Sequence, residues 1–152
     1  MEVVLTVNGS RHVLEVEPQA LLLDVLRDRL GLTGAKRSCE VQVCGTCTVL
    51  LDGRPVSSCC FLAADAEQRE VLTIEGLAEL RDFERLEDAF TRHAALQCGF
   101  CTPGMLLTVH ALLEAGELTG PEEITHGLAG NICRCTGYRG IVEAVAELAG
   151  VA

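Results

Sequence analysis

The spacing of apolar residues along this chain changes period once, near residue 76, from the alternation of strands to the three-to-four spacing of helices. Residues 2 to 7 are mostly β-branched and apolar and read as a strand. Asn8-Gly9 follows, a hairpin signal because both residues tolerate the left-handed backbone of a tight turn. His12 to Val16 alternate as the return strand. After Pro18, Leu22, Leu23, Leu26 and Leu30 recur at helical spacing, and Gly31 stands where a helix-ending glycine belongs. Gly34 to Gly45 reads as a loop. Thr48 to Leu51 reads as a strand with Asp52-Gly53 as its turn, and Val71 to Ile74 as a late short strand.

Between Glu75 and Asp82 the period shifts, and helix is expected from there on. Phe83, Leu86, Phe90 and Ala94 fall on one face. Pro103 opens a second helix with Leu106, Val109, Leu112 and Leu113 on its apolar side and Gly116 near its end. Pro121 suits the first turn of a third, where Glu122 and Glu123 complement the positive end of the helix dipole. Ile141, Val145 and Leu148 mark a fourth, ended by Gly150. The expected class is α+β: a β-grasp module over residues 1–76, then a four-helix bundle domain over residues 77–152. Modules this small bury little core and often need a covalent or metal staple.

Composition narrows the function. The 152 residues carry a formal net charge of −10, against the basic footprint that nucleic acid demands. No apolar run reaches the length of a membrane span. No basic, apolar leader precedes Met1, so a cytoplasmic location is expected. Nine cysteines in such a chain favour metal ligation over disulfides.

Eight of the nine fall into two sets of four, one in each half: Cys39, Cys44, Cys47 and Cys59, then Cys98, Cys101, Cys133 and Cys135. The first set opens with C-x4-C-x2-C and gains a fourth cysteine later, the spacing of plant-type ferredoxins holding a [2Fe–2S] cluster. Each iron of such a cluster takes two thiolates, and a loop can wrap it and aim backbone N–H groups at its sulfurs. Spacing alone leaves the fourth ligand open between Cys59 and Cys60. The second set, C-x2-C with C-x-C, would suit tetrahedral zinc nearly as well as iron. A redox site next door tips it towards a second [2Fe–2S] cluster, and two clusters in one chain imply an electron relay.

Three stretches carry a resemblance. Cys44-Gly45-Thr46-Cys47-Thr48-Val49-Leu50-Leu51-Asp52-Gly53, Gln97-Cys98-Gly99-Phe100-Cys101-Thr102-Pro103-Gly104-Met105 and Gly130-Asn131-Ile132-Cys133-Arg134-Cys135-Thr136-Gly137-Tyr138 resemble the signatures of the small iron–sulfur subunit of the molybdenum hydroxylases. That family includes xanthine dehydrogenase, aldehyde oxidoreductase and aerobic carbon monoxide dehydrogenase. The resemblance spans the chain from first strand to last helix. It implies a ferredoxin-like domain with one cluster and a helical domain with another. It implies Cys59 rather than Cys60 as ligand, and it puts Gln97 and Cys135 near the molybdopterin of a large partner subunit. It also implies electron delivery to FAD on a medium subunit, or to another acceptor, with catalysis residing elsewhere. Many relatives have glycine where this chain has Ser38 and Gln42. The alternative is a free-standing two-cluster ferredoxin, a carrier without partners of that kind.

Other readings fall away. Gly31 to Ser38 has a phosphate-loop flavour but lacks the spacing, with Ala35 before Lys36. No dinucleotide-binding glycine fingerprint is present. The four histidines (His12, His93, His110 and His126) lack the cysteine pairing of a Rieske centre and read as surface or structural residues.

Overall fold

The computed structural model describes residues 1–151; Ala152, the last residue of the expected helical domain, lies outside the described residues. Strands β1 (Glu2–Val7) and β2 (Ser10–Glu15) form the expected hairpin, with Val4 opposite Val13. Asn8 and Gly9 both take positive φ, 51° and 73°, as the tight turn requires. Val3, Leu5 and Val7 point into the core. The helix predicted from Leu22 begins as α1 (Leu22–Asp24) and then winds more widely through a π-helical turn, Val25–Arg29. Here Leu30 N–H reaches the Val25 carbonyl at 3.1 Å. Arg27 donates from this turn to the carbonyls of Thr33 (2.8 Å) and Ala35 (2.6 Å), so it holds the start of the cysteine loop against the helix.

Strands β3 (Thr48–Leu51), β4 (Arg54–Ser57) and β5 (Glu70–Leu72) complete a sheet of order β2-β1-β5-β3-β4. β5 pairs parallel with β1 and antiparallel with β3, and a helix crosses one face, which is the β-grasp arrangement. The closing strand is shorter than predicted. Thr73 leaves it, bonded to the Asn8 carboxamide, and Ile74 enters a short helix, α2 (Ile74–Leu77). β2 starts two residues earlier than the alternation suggested.

Helices α3 (Phe83–Arg92), α4 (Thr102–Ala115), α5 (Pro121–Gly127) and α6 (Arg139–Ala149) follow. Gly116 and Gly150 end α4 and α6 in left-handed conformation, as their positions predicted. Ala94 does not continue the α3 stripe: it lies beyond the helix end at φ 50° and is exposed, because α3 stops at Arg92. Two cores result. Val3, Leu5, Leu22, Leu26, Val49 and Leu51 belong to the sheet core. Phe90, Met105, Leu107, Ile124, Ile141 and Val145 belong to the helical one. β3 is buried on both faces because α4 packs across it: Leu50 joins the helical core while its neighbours Val49 and Leu51 join the other. The two halves therefore share a wall.

Candidate metal centres

The turn stapled by Arg27 feeds directly into the first thiol site. Lys36 N–H donates to the Thr46 carbonyl at 2.9 Å, closing residues 36 to 46 into a loop. Inside it, Glu40 and Gln42 sit at φ 56° and 58°, a left-handed backbone that a side chain occupies at a cost of about 1–2 kcal/mol. Gln42 takes this conformation with a full side chain, where glycine would do so without strain. The contorted backbone aims amides inward: Val43 N–H and Cys44 N–H both lie 3.4 Å from Cys39 Sγ. Backbone donors from Val41, Cys44 and Val43 lower the Cys39 thiol to about 6. Thr46 Oγ1 lies 3.3 Å from Cys44 Sγ. On the far side, the buried Ser58 hydroxyl donates to the Cys47 carbonyl at 2.6 Å and holds Cys59 beside Cys47. Burial, with Cys59 adjacent, pushes the Cys47 thiol up to about 11.

All four predicted residues of the first set are thus brought together. Cys60 is close too, its Sγ 3.6 Å from Cys59 Sγ, but it is exposed and its S–H points at the Glu40 carbonyl, 3.6 Å away.

The second site is built from the loop before α4 and the loop before α6. Cys98 Sγ and Cys135 Sγ are 3.6 Å apart and exposed. Cys101 and Cys133 form the inner pair. Burial and the Cys133 side chain push Cys101 up to about 12. Burial alone would raise Cys133, yet the Thr136 hydroxyl at 3.1 Å, the Thr136 N–H and the Cys135 N–H hold it below its ordinary value. Tyr138, itself at φ 68°, accepts the Cys133 N–H on its hydroxyl at 2.9 Å and so fixes the turn. Gln97 is exposed and adjoins Cys98, on the same rim as Cys135.

The thiols pair off, Cys47 with Cys59, Cys98 with Cys135 and Cys101 with Cys133. Two thiolates on one tetrahedral metal stand about 3.8 Å apart for metal–sulfur bonds of about 2.3 Å. The 3.6 Å Cys98–Cys135 separation suits that, and is far beyond a disulfide. Among the described residues, no three or more His, Cys, Asp or Glu side chains are placed to hold a single metal ion. Four thiols in pairs, ringed by N–H and hydroxyl donors, fit a binuclear anionic cluster better than one zinc. When bound, such a group accepts and releases single electrons.

The sites adjoin. Ile132 N–H donates to the Cys44 carbonyl at 2.9 Å, and Cys133 follows Ile132 in the chain. A small cleft of about 210 Å³ is lined by Cys44 from the first set and by all four cysteines of the second. Asn131, Thr136 and Tyr138 lie within the sequence motifs but have no role legible there, and Ser58 has none beyond its place before Cys59. Their side chains reach the cysteine loops through contacts that spacing does not encode.

A β-grasp domain with one four-thiol site, joined to a helical domain with another, defines a two-centre iron–sulfur protein. Comparison with known proteins agrees. Residues 5–78 match the 2Fe-2S iron-sulfur cluster binding domain and residues 73–146 the [2Fe-2S] binding domain. The nicotine 6-hydroxylase small subunit of Paenarthrobacter nicotinovorans is 47% identical over 150 residues, 99% of this chain and 90% of that one. The nicotinate dehydrogenase small FeS subunit of Eubacterium barkeri is 45% identical over 141 residues, 93% and 90% of the two chains. The crystal structure of quinoline 2-oxidoreductase from Pseudomonas putida 86 superposes with a TM-score of 0.91 at 46% identity, covering 98% of this chain and 92% of that chain. The chain belongs to the family of small [2Fe–2S] subunits of the molybdenum hydroxylases.

Proposed function

We propose that this chain relays electrons from a molybdopterin-bearing large subunit through two [2Fe–2S] clusters to FAD on a medium subunit. Cys39, Cys44, Cys47 and Cys59 hold the first cluster; Cys98, Cys101, Cys133 and Cys135 hold the second. Residues 1–76 and 77–152 are the two cluster domains. The observation that carries this reading is the hydrogen bond of 2.9 Å from Ile132 N–H to the Cys44 carbonyl, which joins one thiol set to the other. Backbone amides at Cys39 and the Thr136 hydroxyl at Cys133 stabilise thiolate charge, and such donors raise a cluster's potential.

Exposed apolar side chains support two partners. Phe100 (45% exposed) and Ile132 (43%) line the second thiol site, and Val41 (65%) and Val43 (57%) crown the first. Apolar groups of that size at a redox site are suited to burial under another subunit. On this arrangement Gln97 and Cys135 face the pterin, and the flavin subunit covers Val41 and Val43. Substrate selection lies with the large subunit. A cytoplasmic location follows this role; among the described residues no helix is long and apolar enough to cross a membrane.

Anaerobic purification from native cells tests the proposal. The expected result is co-purification with a large subunit and molybdenum, about four irons per copy of this chain and two distinct signals on reduction. A lone chain with four irons supports the free-standing carrier instead. Two irons or fewer, or zinc in their place, refutes the relay.

A further inference from the structure

We infer that Asn131 is the positioning residue that fixes the contact between the two cluster sites and so sets how strongly they couple. The inference rests on the two-cluster reading above. Asn131 is a polar side chain only 4% exposed. Its Nδ2 donates to the Gly45 carbonyl at 3.0 Å and lies 3.3 Å from Thr48 Oγ1. Its Oδ1 accepts the Thr108 hydroxyl at 2.8 Å. The Thr48 hydroxyl in turn donates to the same Gly45 carbonyl at 2.7 Å. One carboxamide therefore ties the first thiol loop, β3 and α4 to the loop that carries Cys133 and Cys135.

The surrounding backbone leaves no room for slippage. A Cβ on Gly45 would stand 2.2 Å from the Gly130 carbonyl oxygen, and one on Gly104 would stand 2.3 Å from the Gly45 carbonyl oxygen. Both loops and α4 meet backbone to backbone. Only in that close approach can Ile132 N–H reach the Cys44 carbonyl. The side chain must be an amide: its donor end serves Gly45 while its acceptor end serves Thr108. Aspartate keeps the acceptor but turns a carboxylate towards the Gly45 carbonyl oxygen. The hydrogen bond is lost and two buried oxygens then face each other, so the parted arrangement is favoured.

The experiment uses the full-length protein with its clusters loaded, reduced with dithionite. Electron paramagnetic resonance reads the spin–spin splitting between the two reduced clusters, and metal analysis reads iron. Asn131→Asp parts the contact from one side. Gly104→Ala parts it from the other side by driving a Cβ to 2.3 Å from the Gly45 carbonyl oxygen; it leaves the Asn131 side chain in place, 3.4 Å away in ordinary contact. Ile124→Val weakens the helical core, in which Ile124 is fully buried, and leaves the contact alone. The expected result is wild-type iron in all three, with splitting reduced or lost in the first two and unchanged in the third. Slower passage of electrons between the clusters should accompany the loss.

Full iron with unchanged splitting in both contact variants overturns the assignment while sparing the relay. So does a wild-type protein with both clusters and no splitting. If Asn131→Asp sheds iron, Gly104→Ala decides; iron loss from both makes the contact a requirement for holding clusters rather than for spacing them, and overturns the assignment. A wild-type protein lacking two binuclear clusters instead refutes the functional reading itself.

Discussion

Cys59 and Cys60 differ by one position and not at all in chemistry, yet their surroundings separate them. Cys59 is 3% exposed beside Cys47, with Ser58 bonding the Cys47 carbonyl; Cys60 faces outward over Glu40. Cys59→Ser should lower iron from about four to about two per chain, whereas Cys60→Ser should keep all four. Metal analysis checks both, and equal losses would show that the two thiols share the role. Ser58→Ala should act in the direction of Cys59→Ser but more weakly. It removes a buried hydroxyl and leaves the Cys47 carbonyl without that partner, a cost of about 1–3 kcal/mol. Denaturant unfolding of the loaded protein measures it.

At the level of elements, α3 and α6 are joined by core packing and by a surface network. Phe90 of α3 is 1% exposed, at the centre of the helical core. Phe90→Ala should cost about 3–5 kcal/mol. The second site should loosen with it, because the loop of Cys98 and Cys101 leaves α3 and enters α4. Outside the core, Glu147 meets Arg92 and sits 2.7 Å from His93 Nε2, and Glu143 meets Arg139 at 2.8 Å. His93 and Arg92 hold the Glu147 carboxyl below the usual range, and Arg139 does the same for Glu143.

The sign of the pH effect follows. A carboxyl lowered on folding contributes stability above its unfolded value, and that contribution is lost as pH falls through its folded value. Stability should therefore decline below about pH 4.5 more steeply in the wild type than in Glu147→Gln, since only the former has this carboxylate to protonate. Parallel acid denaturation curves would contradict it. Both ion pairs are exposed, so the effect is small and weaker in salt.

Across the whole molecule the two halves behave as one because β3 is a common wall. Leu50→Ala should cost about 2–5 kcal/mol, and it should loosen the seam between the sheet and α4. Calorimetry is the check: the wild type is expected to unfold in a single transition, and Leu50→Ala to broaden or divide it. A variant that unfolds as sharply as the wild type would show the wall carries little coupling. The same seam brings Gly45, Gly104 and Asn131 together, so the sheet–helix packing and the contact between thiol sites are one feature seen at two scales.

Periodicity, turn residues and cysteine spacing determined much of this protein. They fixed the hairpin at Asn8-Gly9, the helix ends at Gly116 and Gly150, the change from strands to helices and the two four-thiol sets, because each depends on neighbours a few residues away. Tertiary structure decided the rest. The choice between Cys59 and Cys60 depends on which faces Cys47; the π-helical turn at Val25–Arg29 stands with Arg27 reaching the carbonyls of Thr33 and Ala35; the burial of both faces of β3 depends on α4, some fifty residues later. Asn131 had no legible role because its partners, Gly45, Thr48 and Thr108, lie 86, 83 and 23 residues away. A local pattern cannot encode a contact made only when distant segments fold together, and the joining of the two thiol sites is such a contact.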